Sequence, residues 1–209
     1  MTHSAFISPT ISTETFTSDD LLEDNLKIKL RELYPGYNPE HAKAAERLSH
    51  ELTVIRREKY EEYFLDLADV VWLARSNQTP VWCLWEPLNR SLVAHLLGAN
   101  PLNPIAWRLP PPRWPEGRAH CPPHLTLMLH LSESAEPAIR RAAAEHFGEL
   151  RAYELGLLPG TMTDDDMAYI NSQPAHFALW AWPDIDRQER YLKLVDQNCS
   201  EADRTRGTA

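Results

Sequence analysis

The sequence predicts an α+β fold, mostly helical with a small mixed sheet. Three observations carry this expectation. Between residues 40 and 76, apolar side chains recur at three-to-four spacing in two successive stretches, the mark of helices with one buried face. The octapeptide His124-Leu125-Thr126-Leu127-Met128-Leu129-His130-Leu131 alternates strictly, which is the period of a half-buried strand. Prolines crowd residues 99–123, so the chain between helices and strand is extended and poor in backbone donors.

Each element has its local reason. Residues 1–20 are rich in Ser and Thr without apolar periodicity and read as a flexible tail. Leu21 to Tyr34 reads as a short helix, capped by Ser18 or Asp19, with Leu22, Leu26, Ile28 and Leu30 in partial register; Pro35-Gly36 ends it. Asn38-Pro39-Glu40 opens the next helix, with Asn38 as cap and Pro39 at the first helical position, followed by Ala44, Ala45, Leu48, Leu52 and Ile55. A further helix runs from about Glu58 to Ser76 on Tyr63, Phe64, Leu67, Val70, Val71 and Ala74. Core packing explains both amphipathic faces. Thr79 to Leu84 reads as a strand, with a turn near Pro87 and a short buried helix from Ser91 to Leu97 stopped by Gly98. The run Leu109 to Pro115 reads as a stiff crossing loop, with a ligand for a proline-binding groove as the other reading. After the leucine strand, Glu136 to Phe147 is a helix with Ser134 as cap, Ile139, Ala142, Ala143 and Phe147 inward, and Gly148 at its end.

The first domain thus spans 21–150. Residues 151–196 read as an extension packed on it, and 197–209 as a disordered polar tail. In the extension, Thr163-Asp164-Asp165-Asp166 is an acidic helix start, better explained by solvation than by cation binding. Phe177-Ala178-Leu179-Trp180-Ala181-Trp182 is either a strand that completes the sheet or an anchor for a partner.

Composition bounds the function. With 209 residues, 43% hydrophobic and 24% charged, the chain has the make-up of a soluble globular domain with an appendage. No apolar run reaches membrane-spanning length, and no basic-then-apolar leader opens the chain, so the cytoplasm is the expected compartment and a membrane is not an expected partner. The three cysteines, Cys83, Cys121 and Cys199, are scattered and odd in number, which suits a reducing environment. Lys and Arg total 21 against 30 Asp and Glu, a net charge of −9, which disfavours an autonomous grip on nucleic acid.

The alternating strand is where chemistry would be expected. Residues two apart on a strand face can aim two carboxylates at a pair of Mg²⁺ ions, the arrangement of two-metal phosphoryl transfer. Here the leucines take one face and His124, Thr126, Met128 and His130 take the other, which therefore carries no carboxylate. Imidazole and thioether are poor ligands for Mg²⁺.

Several blocks resemble, in order, the bacterial DNA polymerase III alpha subunit (a C-family DNA polymerase), in the stretch that follows its N-terminal phosphoesterase domain and begins its palm. Glu46 to Ile55, reading ERLSHELTVI, is similar to that family's ERLEYELxVI helix. Tyr63 to Asp69, YFLDLAD, is similar to YFLIVxD, and Ser91 to Gly98, SLVAHLLG, to SLVAYLLG, with Asn103-Pro104 where the family has DP. The resemblance covers about Leu21 to Gly148 and implies a polymerase-palm-like core. The family's GPGRGSAAGS loop corresponds to Trp82 to Ser91, where no glycine remains: Trp82, Trp85, Glu86 and Pro87 occupy loop positions, Trp85 in place of the Arg. The metal-binding positions of PDIDID correspond to His124 and Thr126. The resemblance therefore implies a lost phosphate loop and a lost metal pair, with no catalytic residue, nucleotide-binding residue, metal or other cofactor to carry over.

Other readings were weighed on the same residues. Pro183-Asp184-Ile185-Asp186 spells the missing tetrapeptide, so Asp184 and Asp186 would serve a Mg²⁺-dependent nucleotidyltransferase, although a capped helix start over the same residues accounts for them more simply. His120, Cys121, His124 and His130 have zinc-ligand types but fit no common zinc spacing. Cys83 or Cys121 as a nucleophile lacks a marked base. The leading expectation is an inactive relative of the polymerase subunit that binds an unidentified protein, or a nucleic acid, through aromatic side chains such as Trp82, Trp85, Trp114, Trp180 and Trp182; a remnant without function is a third reading.

Overall fold

A computed structural model of the chain describes residues 18–79, 81–83, 86–114, 125–158 and 175–182. Among these described residues, six helices and two strands follow in the order α1 (Ser18–Leu33), α2 (His41–Glu58), α3 (Glu61–Ser76), α4 (Leu92–Leu96), β1 (Leu125–Ser132), α5 (Glu136–Phe147), α6 (Glu149–Glu154) and β2 (Ala175–Trp182), with a 3-10 turn at Leu88–Arg90 before α4. This is the expected α+β architecture.

The helices pack through the apolar positions that define them. Leu22, Leu26 and Leu30 of α1, Ala44, Leu48, Leu52 and Ile55 of α2, and Phe64, Leu67 and Val70 of α3 form one buried core with Leu92, Val93 and Leu96 of α4. Ile28, grouped by sequence with the α1 core residues, is exposed, because the 3.6-residue period turns it away from the Leu22–Leu26–Leu30 stripe. The break between α2 and α3 comes at Lys59, whose left-handed φ of 59° closes α2 while its amide donates to Arg56 O. Two expected caps are replaced by turns. Asn38 Oδ1 accepts from the amide of Glu40 at 2.8 Å and shapes the turn before α2 rather than capping it. Ala135, not Ser134, stands at the start of α5 and makes no side-chain cap bond.

The leucine strand forms as its alternation requires. Leu125, Leu127, Leu129 and Leu131 are all buried. β2 pairs with β1 in parallel, Leu125 beside Ala175 and Ser132 beside Trp182, with α5 and α6 making the crossover. On the chain segment expected as a first strand, Pro80 and Leu84 lie outside the described residues, and Trp82 makes a single antiparallel bridge to His130. Its amide donates to His130 O at 3.2 Å and its carbonyl accepts from His130 N at 2.8 Å. Among the described residues the sheet is therefore a small parallel pair, with the Trp82–His130 bridge as an isolated antiparallel contact beside it rather than the mixed sheet expected. The crossover closes tightly: Phe177 N donates to Leu155 O at 2.8 Å, just after α6.

The tail 1–17, the segment 159–174 with its acidic run, and residues 183–209 lie outside the described residues. Among the described residues no helix is long and apolar enough to cross a membrane.

Candidate functional site

The site begins with a charge in an apolar stripe. On α2, Glu51 falls on the same face as Leu48, Leu52 and Ile55, and its side chain is fully buried. A buried carboxylate is costly unless each oxygen is well bonded. Glu51 meets that condition. Oε1 accepts from Arg47 Nε at 2.7 Å and from the amide of Leu92 at 3.0 Å. Oε2 accepts from Ser91 Oγ at 2.6 Å and from the amide of Val93 at 3.1 Å. Ser91 Oγ in turn accepts from Ala94 N at 3.0 Å, which is an N-cap bond. The free amides that open α4 are thereby taken by the protein's own carboxylate.

Arg47 carries the network outward. Its Nη2 donates to Arg90 O at 2.8 Å and to Pro110 O at 2.9 Å. A proline run has carbonyls to satisfy and few amides to satisfy them, so a buried guanidinium is a suitable partner for it. Asn100 holds the 3-10 turn from the other side, donating to Leu88 O at 3.2 Å and Asn89 O at 2.7 Å. Asn103 accepts from Tyr34 Oη at 2.5 Å and from the amides of Ile105 and Ala106.

The described residues at the expected loop positions are mostly packed, not open. Cys83 and Leu88 are members of the main core. Pro87, Asn89 and Arg90 are buried, and Trp82 is half-buried. Arg90 Nη1 lies 2.8 Å from Glu86 Oε1, so the added carboxylate pairs with the added guanidinium. Burial also pushes the Cys83 thiol well above its ordinary value, which keeps it protonated and unsuited to nucleophilic attack. Trp85 lies outside the described residues.

At the strand, the position of Thr126 sits near the start of β1 and pairs with His176, while His124 lies outside the described residues. His130 is buried, and desolvation holds its imidazole down at about 4 against the opposing hydrogen bond with the Trp82 backbone, so it is neutral at physiological pH. Asp184 and Asp186 lie outside the described residues, as do His120 and Cys121. The end of β2 that leads to them, Trp182, stands beside Ser132 at the far end of β1 from Thr126, and six strand steps separate those ends by roughly 20 Å. Among the described residues no group of three or more His, Cys, Asp or Glu is placed to hold a metal ion.

Of the tryptophans expected at a binding surface, Trp114 is half-buried with its ring edge-on to Phe64 at 5.9 Å. Trp180 and Trp182 are placed by backbone in β2. Among the described side chains the well-exposed indoles are those of Trp72 and Trp107, which core-pattern reading passed over. Glu51 and Arg47 were likewise missed as a pair, although a carboxylate inside a helix's apolar stripe was a usable signal.

The frame is thus an α2 carboxylate seating the start of α4, followed by a strand that the pre-α4 segment bridges. Comparison with known proteins bears on its origin. No curated protein matches the chain. The model of the family described as bacterial DNA polymerase III alpha NTPase domain matches residues 20–161, which runs from within α1 past the end of α6 and covers most of the chain. The helix-seating network and the packed loop beside it therefore sit on an inherited frame, and the chain belongs to the bacterial DNA polymerase III alpha NTPase domain family.

Proposed function

We propose that this chain is a catalytically inactive member of its family, a binding module for a protein or nucleic-acid partner in a replication or repair assembly. One observation carries the inactive reading: the described part of the segment at the family's phosphate-loop positions is built into the core, with Cys83 and Leu88 among its members. A triphosphate needs close backbone approach and free donors. Leu88 and Pro87, both buried there, deny the first. Glu86 adds a negative charge where phosphate oxygens would come. His124 and Thr126 supply no carboxylate for Mg²⁺. A protein partner is favoured over nucleic acid by the net charge of −9 and by Trp72 and Trp107, which present large apolar surface to solvent.

The test is calorimetric titration of the folded protein with a deoxynucleoside triphosphate at low salt, with and without Mg²⁺ and primed DNA. No detectable heat of binding is expected. Micromolar binding that requires Mg²⁺ overturns the proposal. In that event, loss of binding on changing Asp184 and Asp186 together to Ala would assign the site to that pair.

A further inference from the structure

We propose that the cleft between α1, α3 and the C-terminal end of α4 binds a small organic monoanion, a carboxylate carried on an apolar body. The inference goes beyond the inactive-polymerase reading and does not depend on it. The cleft has a volume of about 620 Å³, which falls in the range of roughly 300–1,000 Å³ typical of small-ligand sites. Val71 of α3, Val81, Leu96, Leu97 and Pro101 give it apolar walls.

The polar groups at this cleft select charge. Arg75 has no carboxylate partner among the described residues; its nearest acceptor is Gly98 O at a long 3.4 Å from Nη2. The guanidinium rests on Gly98, where a Cβ would come within 2.1 Å of Nη2. The missing side chain at 98 gives the fork its seat beside the cavity. A planar fork with uncommitted donors is matched by a carboxylate, which it can hold through two parallel bonds. Lys29 of α1 also lines the cleft, held 2.9 Å from Glu32. Two cations and one carboxylate leave a single positive charge, which suits a monoanion better than a phosphate dianion. His95 adds no charge to that balance: its Nδ1 lies 2.8 Å from Asn100 O and donates to it. Burial lowers the His95 pKa, consistent with a neutral ring.

Octanoate is the probe, with octanol as its uncharged counterpart, each titrated into ¹⁵N-labelled protein and followed by amide shifts. Octanoate is expected to give saturable shifts confined to α1, α3, α4 and residues 97–101. Arg75→Gln is expected to weaken octanoate by about tenfold, the loss of one charge-assisted pair, and to leave octanol unchanged. Ala68→Trp, which fills the cleft from α3, is expected to abolish both. Should Arg75→Gln lose the folded spectrum, Arg75→Lys is read in its place, since it keeps the charge but removes the fork; it too must weaken octanoate. Absence of saturable shifts, shifts centred elsewhere, or octanoate affinity unchanged by either Arg75 variant overturns the proposal.

Discussion

Glu51 accepts a 2.6 Å hydrogen bond from Ser91, 40 residues further along the chain, with neither side chain exposed to water. This contact joins the middle of α2 to the start of α4. Through Arg47 the same carboxylate reaches the backbone of the proline run at Pro110. Three segments are therefore tied through one ion pair in addition to the apolar core that α2 and α4 share, and its loss should be felt throughout that core.

Glu51→Ala should cost about 3–5 kcal/mol, because it strands the nearly buried Arg47 guanidinium and leaves Ser91, Leu92 and Val93 without their acceptor. Glu51→Gln should cost less, since the amide oxygen keeps part of the bonding while the charge is lost. Urea unfolding of the two variants, followed by far-ultraviolet dichroism, measures both. A Glu51→Ala protein within about 1 kcal/mol of the parent would mean the network is ornamental to stability, against the buried-pair expectation.

How much of this was readable beforehand depends on the range of the interaction. The short helix read from Ser91 to Leu97 and the bounds of α5 are local chemistry and were legible, although Ser91 caps α4 rather than opening it as a helical residue. The leucine alternation named the buried face of β1 correctly, because a period of two has only one way to lie on a core. Asn38 and Ser134 were expected to cap helices, yet each sits in a turn that competes for the same backbone groups. The Glu51–Ser91 bond and the parallel register of Leu125 with Ala175 link positions 40 or more residues apart, and nothing local specifies them. The α1–α3–α4 cleft is assembled from three helices whose individual patterns read only as core.

Acid should unfold the protein partly through His130. Its folded value of about 4 lies below the ordinary 6.5, so the unfolded chain binds the proton more readily. The neutral-imidazole contribution is fully present above about 6.5 and is lost as pH falls from there towards 4, by up to about 3 kcal/mol. The urea midpoint should drop between pH 7 and pH 4.5, and His130→Gln should flatten that drop. An equally steep fall in the variant would assign the acid sensitivity to other groups, with His95 the first to examine because burial lowers it too.

Asp66 should act in the opposite direction. Burial raises its carboxyl to about 6, outweighing the Arg151 guanidinium 3.0 Å away. With the folded value above the unfolded 3.8, its stabilising contribution is greatest below 3.8 and is lost as pH rises through about 6. Asp66→Asn should therefore match or exceed the parent in stability at pH 7.5 and fall behind it, relative to that difference, at pH 4. A variant clearly weaker at pH 7.5 would show instead that the charged pair with Arg151 dominates.

The crossover from α6 to β2 has no room for a side chain at residue 156. Gly156 has a φ of +73°, and a Cβ there would stand 2.3 Å from Phe177 O. Both groups belong to backbone, so neither can swing aside, and the Phe177 N to Leu155 O bond holds them together. Gly156→Ala should cost more than about 1 kcal/mol, since an incompatible φ alone exceeds that range and the clash adds to it. Gly36→Ala is the control, with open space at its Cβ and no left-handed φ. Equal thermal midpoints for the two variants would show that α6 and β2 are not docked as described.

Restoring metal ligands should not restore nucleotide binding. If the inactive reading rested only on the strand, putting carboxylates back with His124→Asp and Thr126→Asp would be enough to recover a Mg²⁺-dependent triphosphate site. The packed segment before α4 argues otherwise. Leu88 fills space next to α4, and Glu86 still faces Arg90. The double variant is expected to gain weak Mg²⁺ affinity and no measurable affinity for a deoxynucleoside triphosphate in the same titration. Recovery of Mg²⁺-dependent triphosphate binding would mean that the loop positions tolerate phosphate after all, and that loss of the two carboxylates alone separates this chain from nucleotide chemistry.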